Sequence, residues 1–110
     1  MTLSSRRCAP CKPGTPPLDA QQLARLSVHT PDWGIAPDGK SISRSFSFPD
    51  FHRTMGFVNA VAFIANREDH HPDLEVSFGR CRVRYWTHTV GGLSENDFIA
   101  AAKIDELLRE

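Results

Sequence analysis

The stretch Asp69-His70-His71-Pro72 decides how this chain folds. It lies where a helical pattern of apolar residues gives way to an alternating pattern that is typical of a strand. Proline disfavours the helical conformation of the residue before it, so we expect His71 to be extended and the helix to stop at about His70. His70 should then occupy the last helical turn. Because histidine has the unperturbed pKa nearest neutrality, such a pair suits proton transfer.

The apolar spacing upstream of this stretch predicts two helices. Asp50 can cap a long core helix, in which apolar residues recur at helical spacing until about Asp69. Asp19 and Gln22 fit a capping box at the start of an earlier, shorter helix.

Two strands are predicted between these helices, at residues 33–35 and 42–48, with a turn signal at residues 37–39. Arg44 falls among the apolar residues on one face of the second strand. We therefore expect either that this strand is an edge or that Arg44 extends its charged end to water.

Downstream of the histidines, alternation over residues 74–78 predicts a third strand, and Gly79-Arg80 fits a two-residue hairpin turn with glycine first. The fourth strand has a core face of Cys81, Val83, Tyr85 and Thr87 and an outer face of Arg82, Arg84, Trp86 and His88. Ser94 can cap the last helix, in which Asp97 stands at the capping-box position.

The predicted order is therefore α-β-β-α-β-β-α. This order favours an α+β fold, with three helices packed on one face of a four-stranded antiparallel sheet. Residues 18–110 should form a single domain, and the polar, proline-rich residues 1–17 a flexible tail.

Composition excludes several classes of protein. The 13 basic and 13 acidic residues cancel, so no overall field favours nucleic acid or a membrane surface. The sequence has no long apolar run and no signal-peptide pattern after Met1, which predicts a cytoplasmic protein. Three cysteines make no disulfide framework. Cys8 and Cys11 form at most half a metal site, and a chemically idle tail explains them better.

Three histidines, His70, His71 and His88, allow two chemical interpretations. They are acid–base groups around an organic substrate, or they bind a metal. Adjacent residues entering a strand point apart, and no standard zinc spacing is present, so acid–base chemistry is favoured. Trp86, on the outer face beside His88, indicates a site or a subunit contact there.

The second half of the chain resembles the pterin-4a-carbinolamine dehydratases. The resemblance rests on Asp69-His70-His71-Pro72, Thr87-His88 at a strand end, Gly92-Leu93-Ser94 and Asp97. It implies that the substrate is a 4a-hydroxytetrahydropterin, released by an aromatic amino acid hydroxylase, and that the product is the quinonoid dihydropterin. It implies no metal or organic cofactor, and a homodimer or homotetramer.

The resemblance makes His70, His71 and His88 the candidate catalytic residues, supported by Asn66, Asp69, Pro72, Trp86, Thr87 and Asp97. It assigns proton transfer to His70 and His88, and holding of the pterin mainly to His71. The division of acid and base between His70 and His88 stays open. Asp97 is fully explained by capping, although the family motif includes it.

Asn66 departs from the family pattern, which has a carboxylate one helical turn before the first histidine. We expect the Asn66 amide to accept a hydrogen bond from His70 without supplying charge to an imidazolium. That difference keeps an alternative open, because animal members also act as dimerisation cofactors of a transcription factor. The alternative is a catalytically weakened module that binds a pterin or a partner protein.

Overall fold

The predicted order of helices and strands is confirmed by a computed structural model that describes residues 2–109. The helices are α1 (Ala20–Ser27), α2 (Phe51–Glu68) and α3 (Glu95–Glu106), and the strands are β1 (Gly34–Ile35), β2 (Ile42–Ser47), β3 (Asp73–Ser77) and β4 (Arg80–Tyr85). Short 3₁₀ turns at Leu3–Ser5 and His88–Val90 were not predicted. No helix within residues 2–109 is long and apolar enough to cross a membrane.

The sheet has the strand order β1-β2-β4-β3, and every pair is antiparallel. The predicted faces of β4 are confirmed up to Tyr85, but the strand is shorter than predicted, and Trp86, Thr87 and His88 lie beyond its end. Cys81, Val83 and Tyr85 are fully buried under the helices, whereas the intervening arginines are partly exposed. Because β4 lies between β2 and β3, its buried side chains form part of the core, and the chain continues from its end to Thr87.

Helix α2 begins after Asp50, whose carboxylate accepts the Arg53 backbone N–H, as predicted. It ends earlier than expected, because Asp69 adopts a left-handed conformation with φ 51°. The prediction that His70 occupies the last helical turn is therefore wrong. His70 lies beyond the helix, where its backbone N–H still reaches the Ala65 carbonyl at 3.1 Å.

The β3–β4 turn consists of Phe78-Gly79, one residue earlier than predicted, because Ser77 pairs with Arg80. The glycine serves close packing and not a positive φ. A Cβ atom at Gly79 would lie 2.9 Å from the Phe48 carbonyl oxygen. The Phe48 N–H also donates to the Gly79 carbonyl at 2.8 Å.

Arg44 lies on the helix-facing side of β2, which is not an edge strand. Its Nη1 reaches the Asp105 carboxylate on α3 at 2.7 Å, and the Trp33 indole N–H donates to the same oxygen at 2.9 Å. Neither predicted alternative describes Arg44 fully, because its charged end pairs with a largely buried carboxylate and does not simply extend to water.

Residues 3–11 of the N-terminal segment pack against α2 and α3. Leu3 is only 6% exposed, and the Lys103 ammonium donates to the Ser4 carbonyl at 2.8 Å. The predicted flexibility of residues 1–17 and the domain limits 18–110 stay predictions, and Met1 and Glu110 lie outside the described residues.

Candidate functional site

His70 is fixed between a helix end and the central strand. The left-handed Asp69 turns the chain towards α3, so the His70 ring stacks on Tyr85 with centroids 5.3 Å apart and planes 9° apart. Its Nε2 lies 2.6 Å from Asp97 Oδ1, and its side chain is 12% exposed. One imidazole is therefore oriented by a buried carboxylate.

Asp97 combines the two roles that the sequence left open. Its side chain is completely buried, and its Oδ2 accepts the Ser94 backbone N–H at 2.9 Å, which caps α3. The same oxygen accepts the Thr87 hydroxyl at 2.8 Å, while Oδ1 faces His70. Oδ2 thus serves the helix cap and the Thr87 hydroxyl, and Oδ1 is left to face the imidazole.

Thr87 is held in place by a tight loop after β4. Its N–H donates to the Gly92 carbonyl at 2.8 Å, and Gly91 takes a positive φ of 68° inside the loop. The Thr87 hydroxyl can therefore reach both Asp97 and the Ser94 hydroxyl, which lies at 2.8 Å.

A cavity of about 470 Å³ opens beside His70, within the size range of small-molecule sites. It is lined by residues 7–11, by residues 67–70 at the end of α2, and by Thr87, Thr89 and Asn96. Asp69 is thus brought to the same cavity as His70 and Thr87. His71 and His88 do not line it.

Asn66 does not contact His70 as expected. Its Oδ1 lies 3.1 Å from His71 Nε2, and both residues are exposed. The expectation rested on one helical turn between Asn66 and His70, but α2 ends at Glu68. Pro72 follows this pair and leads into β3.

His88 forms a second surface pair with Trp86. Their ring centroids lie 3.7 Å apart just beyond the end of β4, and the Trp86 indole N–H is 3.4 Å from Asp73 Oδ2. The predicted partial exposure of Trp86 is confirmed. The structure thus joins His70 to Asp97 and Thr87, and places His71 and His88 in separate exposed pairs.

Glu68 and Asn96 were missed by sequence reasoning. The Glu68 carboxylate is fully buried, accepts the Cys8 backbone N–H at 2.9 Å and pairs with Arg7 Nε at 2.9 Å. Burial alone would raise the pKa of Glu68, but these donors outweigh burial and lower it. The burial of Glu68 could have been predicted from the sequence, because Glu68 falls at helical spacing on the same face of α2 as Val61 and Ile64.

The cysteines of the N-terminal segment converge on Asn96. Cys8 Sγ lies 3.5 Å from the Asn96 carbonyl, and the Asn96 amide lies 3.5 Å from Cys11 Sγ. Burial, followed by the charge of Glu68, raises the pKa of the Cys8 thiol to about 12. Within residues 2–109, no cluster of three His, Cys, Asp or Glu side chains could hold a metal ion.

Comparison with known proteins gives a consistent picture. The family model described as pterin 4 alpha carbinolamine dehydratase matches residues 16–107. A Nitrosospira multiformis protein is 49% identical over 107 residues, covering 97% of this chain and 93% of the relative. A Nitrosomonas europaea protein is 51% identical over 108 residues, covering 97% and 94%. Both carry the provisional name pterin-4-alpha-carbinolamine dehydratase.

Two solved structures share the fold. A Brucella melitensis protein described as a transcriptional coactivator/pterin dehydratase aligns with a TM-score of 0.79 and 28% identity, covering 84% of this chain and 99% of that one. A pterin dehydratase-like protein, described as a RuBisCO assembly factor in the alpha-carboxysome, aligns with a TM-score of 0.60 and 19% identity. The alignment covers 69% of this chain and 88% of the other chain, and at this identity it shows a shared fold alone.

Proposed function

This chain belongs to the pterin 4 alpha carbinolamine dehydratase family, and from that premise we propose that it converts a 4a-hydroxytetrahydropterin into quinonoid dihydropterin and water. The reaction that supplies this substrate is hydroxylation of an aromatic amino acid by a pterin-dependent enzyme. We place the reaction in the cytoplasm, where the free thiols of Cys8, Cys11 and Cys81 persist in reduced form.

The reaction requires two proton transfers. A base removes the proton from N5, the C4a–oxygen bond breaks, and a C4a–N5 double bond forms. Hydroxide is a poor leaving group, so an acid must deliver a proton to the oxygen, which departs as water. Each such transfer by a positioned side chain contributes roughly 10²- to 10⁴-fold to the rate.

The contact between His70 and Asp97 is the observation that carries the proposal. We assign the proton of the neutral imidazole to Nε2, where Asp97 Oδ1 can accept it, and in that tautomer Nδ1 is the acceptor nitrogen. Within residues 2–109, no side chain or backbone group hydrogen-bonds to Nδ1. His70 is thus prepared to exchange a proton with a ligand in the cavity.

His88 is our second proton-transfer group, and His71 mainly holds the pterin. Because neither residue lines the cavity, a pterin that contacts His70 must extend out of the cavity to meet them. The two are tested separately because each lies in its own exposed pair. Single His→Gln substitutions at His70 and His88 should shift opposite limbs of the pH–rate profile if one is the acid and the other the base.

The decisive experiment follows dehydration of a freshly generated 4a-hydroxytetrahydropterin spectroscopically. We expect the protein to accelerate the reaction in the presence of a chelator, and His70→Ala and His88→Ala to remove most of the acceleration. His29→Ala changes an exposed histidine outside the site and is the matched control. A folded protein that leaves the uncatalysed rate unchanged would contradict the proposal.

An exposed apolar surface supports the second candidate, a module that binds a partner protein, and also supports a homodimer or homotetramer. Phe63 is 65% exposed on α2 and shares a groove with Leu107, which is 39% exposed; the next residue, Leu108, is 47% exposed. Self-association through this surface predicts that Phe63→Glu lowers the mass measured by sedimentation. Pterin binding without turnover would favour the binding module over the dehydratase.

A further inference from the structure

One wall of the cavity beside His70 comes from the N-terminal segment. We call residues 7–11 the strap, because these five consecutive residues line the cavity together with the ends of α2 and α3. The strap precedes the region that the family model matches, which starts at residue 16. It is therefore an element that the family assignment does not explain.

Glu68 attaches the strap to the end of α2. Its carboxylate accepts the Cys8 N–H and pairs with Arg7, and it lies two residues before His70. A buried carboxylate that loses its donors is strongly disfavoured, so the Glu68 charge stabilises the attached strap.

Asn96 attaches the strap to the start of α3. Its Oδ1 accepts the Ala9 N–H at 3.0 Å, and its Nδ2 donates to the Ala9 carbonyl at 2.6 Å. Every hydrogen bond made by the Asn96 side chain is to the strap, including the contact with Cys11. Asn96 also precedes Asp97, the residue that orients His70.

We propose that the strap is a specificity wall of the pterin site, with Glu68 and Asn96 as its positioning residues. The inference rests on the proposed function, since it assumes that the pterin occupies this cavity. The same two helix ends hold the imidazole and the strap. The distance between the imidazole and the strap is therefore fixed. A planar ring bound in the cavity between them is enclosed on the side that faces the strap.

Cys8 provides a direct report of the state of the strap. Its Sγ is half-buried against Asn96, and thiol reagents attack only the thiolate. Modification should therefore be faster when the strap detaches and exposes the sulfur. The Cys11→Ser background leaves Cys8 as the accessible thiol, because Cys81 is fully buried in the sheet.

The test measures the rate at which an aromatic disulfide reagent modifies Cys8 in the full chain carrying Cys11→Ser. We expect a stable 7,8-dihydropterin to slow modification several-fold, at concentrations that match its binding curve. Asn96→Ala removes both contacts to Ala9, and should speed modification of the free protein roughly tenfold. Asn59→Ala makes the same substitution within α2, away from the strap, and is the control. It should leave the Cys8 modification rate unchanged both with and without the dihydropterin.

Kinetics separate a positioning role from a structural one. If the strap binds substrate and transition state equally, Asn96→Ala should raise KM roughly tenfold and change kcat less than twofold. Dihydropterin binding that leaves the Cys8 rate unchanged would overturn the strap proposal and leave the dehydratase intact. Absence of dihydropterin binding, measured by titration, would overturn both.

Discussion

Asp97→Asn tests the proposed tautomer of His70 without changing the shape of the site. The asparagine can place its carbonyl oxygen where Oδ2 accepts the Ser94 N–H and the Thr87 hydroxyl. Its amide N–H₂ group then faces His70 Nε2, which must become an acceptor and move its proton to Nδ1. His70 Nδ1, the nitrogen proposed to accept a proton, would then carry one and could no longer act as the acceptor.

The expected loss of activity follows from that exchange. General acid–base catalysis contributes roughly 10²- to 10⁴-fold, so we expect turnover to fall by at least about 100-fold. Stability should fall by only about 1–2 kcal/mol, because two of the three hydrogen bonds keep an acceptor. Asp97→Ala removes every acceptor from a buried site and should cost about 3 kcal/mol or more.

Three measurements check this reasoning: the dehydration rate, urea unfolding, and the ring-nitrogen NMR shifts that report the tautomer. Asp50→Asn changes the residue that caps α2 and is the control, since asparagine caps a helix about as well as aspartate. Wild-type turnover in Asp97→Asn, or a proton retained on His70 Nε2, would refute the argument.

Three further predictions concern stability. Asp105→Ala removes the partner of the partly buried Arg44 and should lower the free energy of unfolding by about 2–3 kcal/mol in urea titrations; an unchanged midpoint would show that the pair contributes nothing. Gly79→Ala places a methyl group against the Phe48 carbonyl, so we expect a loss of about 1–3 kcal/mol, and no loss would mean that the turn shifts freely. The folded pKa of Glu68 is lowered, so its stabilisation relative to Glu68→Gln should be complete above its ordinary value of 4.5 and disappear as pH falls through the lower folded value. Unfolding at a series of pH values checks this, and a constant difference between the two proteins would contradict it.

Local rules of sequence predicted much of the fold. The Asp19–Gln22 capping box is present with both hydrogen bonds, at 2.8 and 2.9 Å, because capping depends on residues three apart. The faces of β4 were predictable because strand side chains alternate strictly. The early turn at Phe78-Gly79 was not, since contact with the distant Phe48 sets its position.

The site was predicted as a set of residues but not as a set of contacts. The motif singled out His70 and Asp97, which the structure brings into contact, and that contact depends on the left-handed turn at Asp69. Helical spacing then assigned Asn66 to the wrong histidine. The docking of the N-terminal segment depends on Glu68 and Asn96, whose partners lie 60 and 87 residues away in sequence, beyond the reach of any local pattern.

The start of α3 combines three roles within four residues. Ser94 caps the helix, Asn96 hydrogen-bonds the strap, and Asp97 both completes the capping box and orients His70. Selection for a folded protein and selection for turnover therefore act on the same codons. Two saturation libraries of this turn, one sorted for solubility and one for activity, should therefore retain nearly the same few sequences. We expect few neutral substitutions to accumulate at residues 94–97.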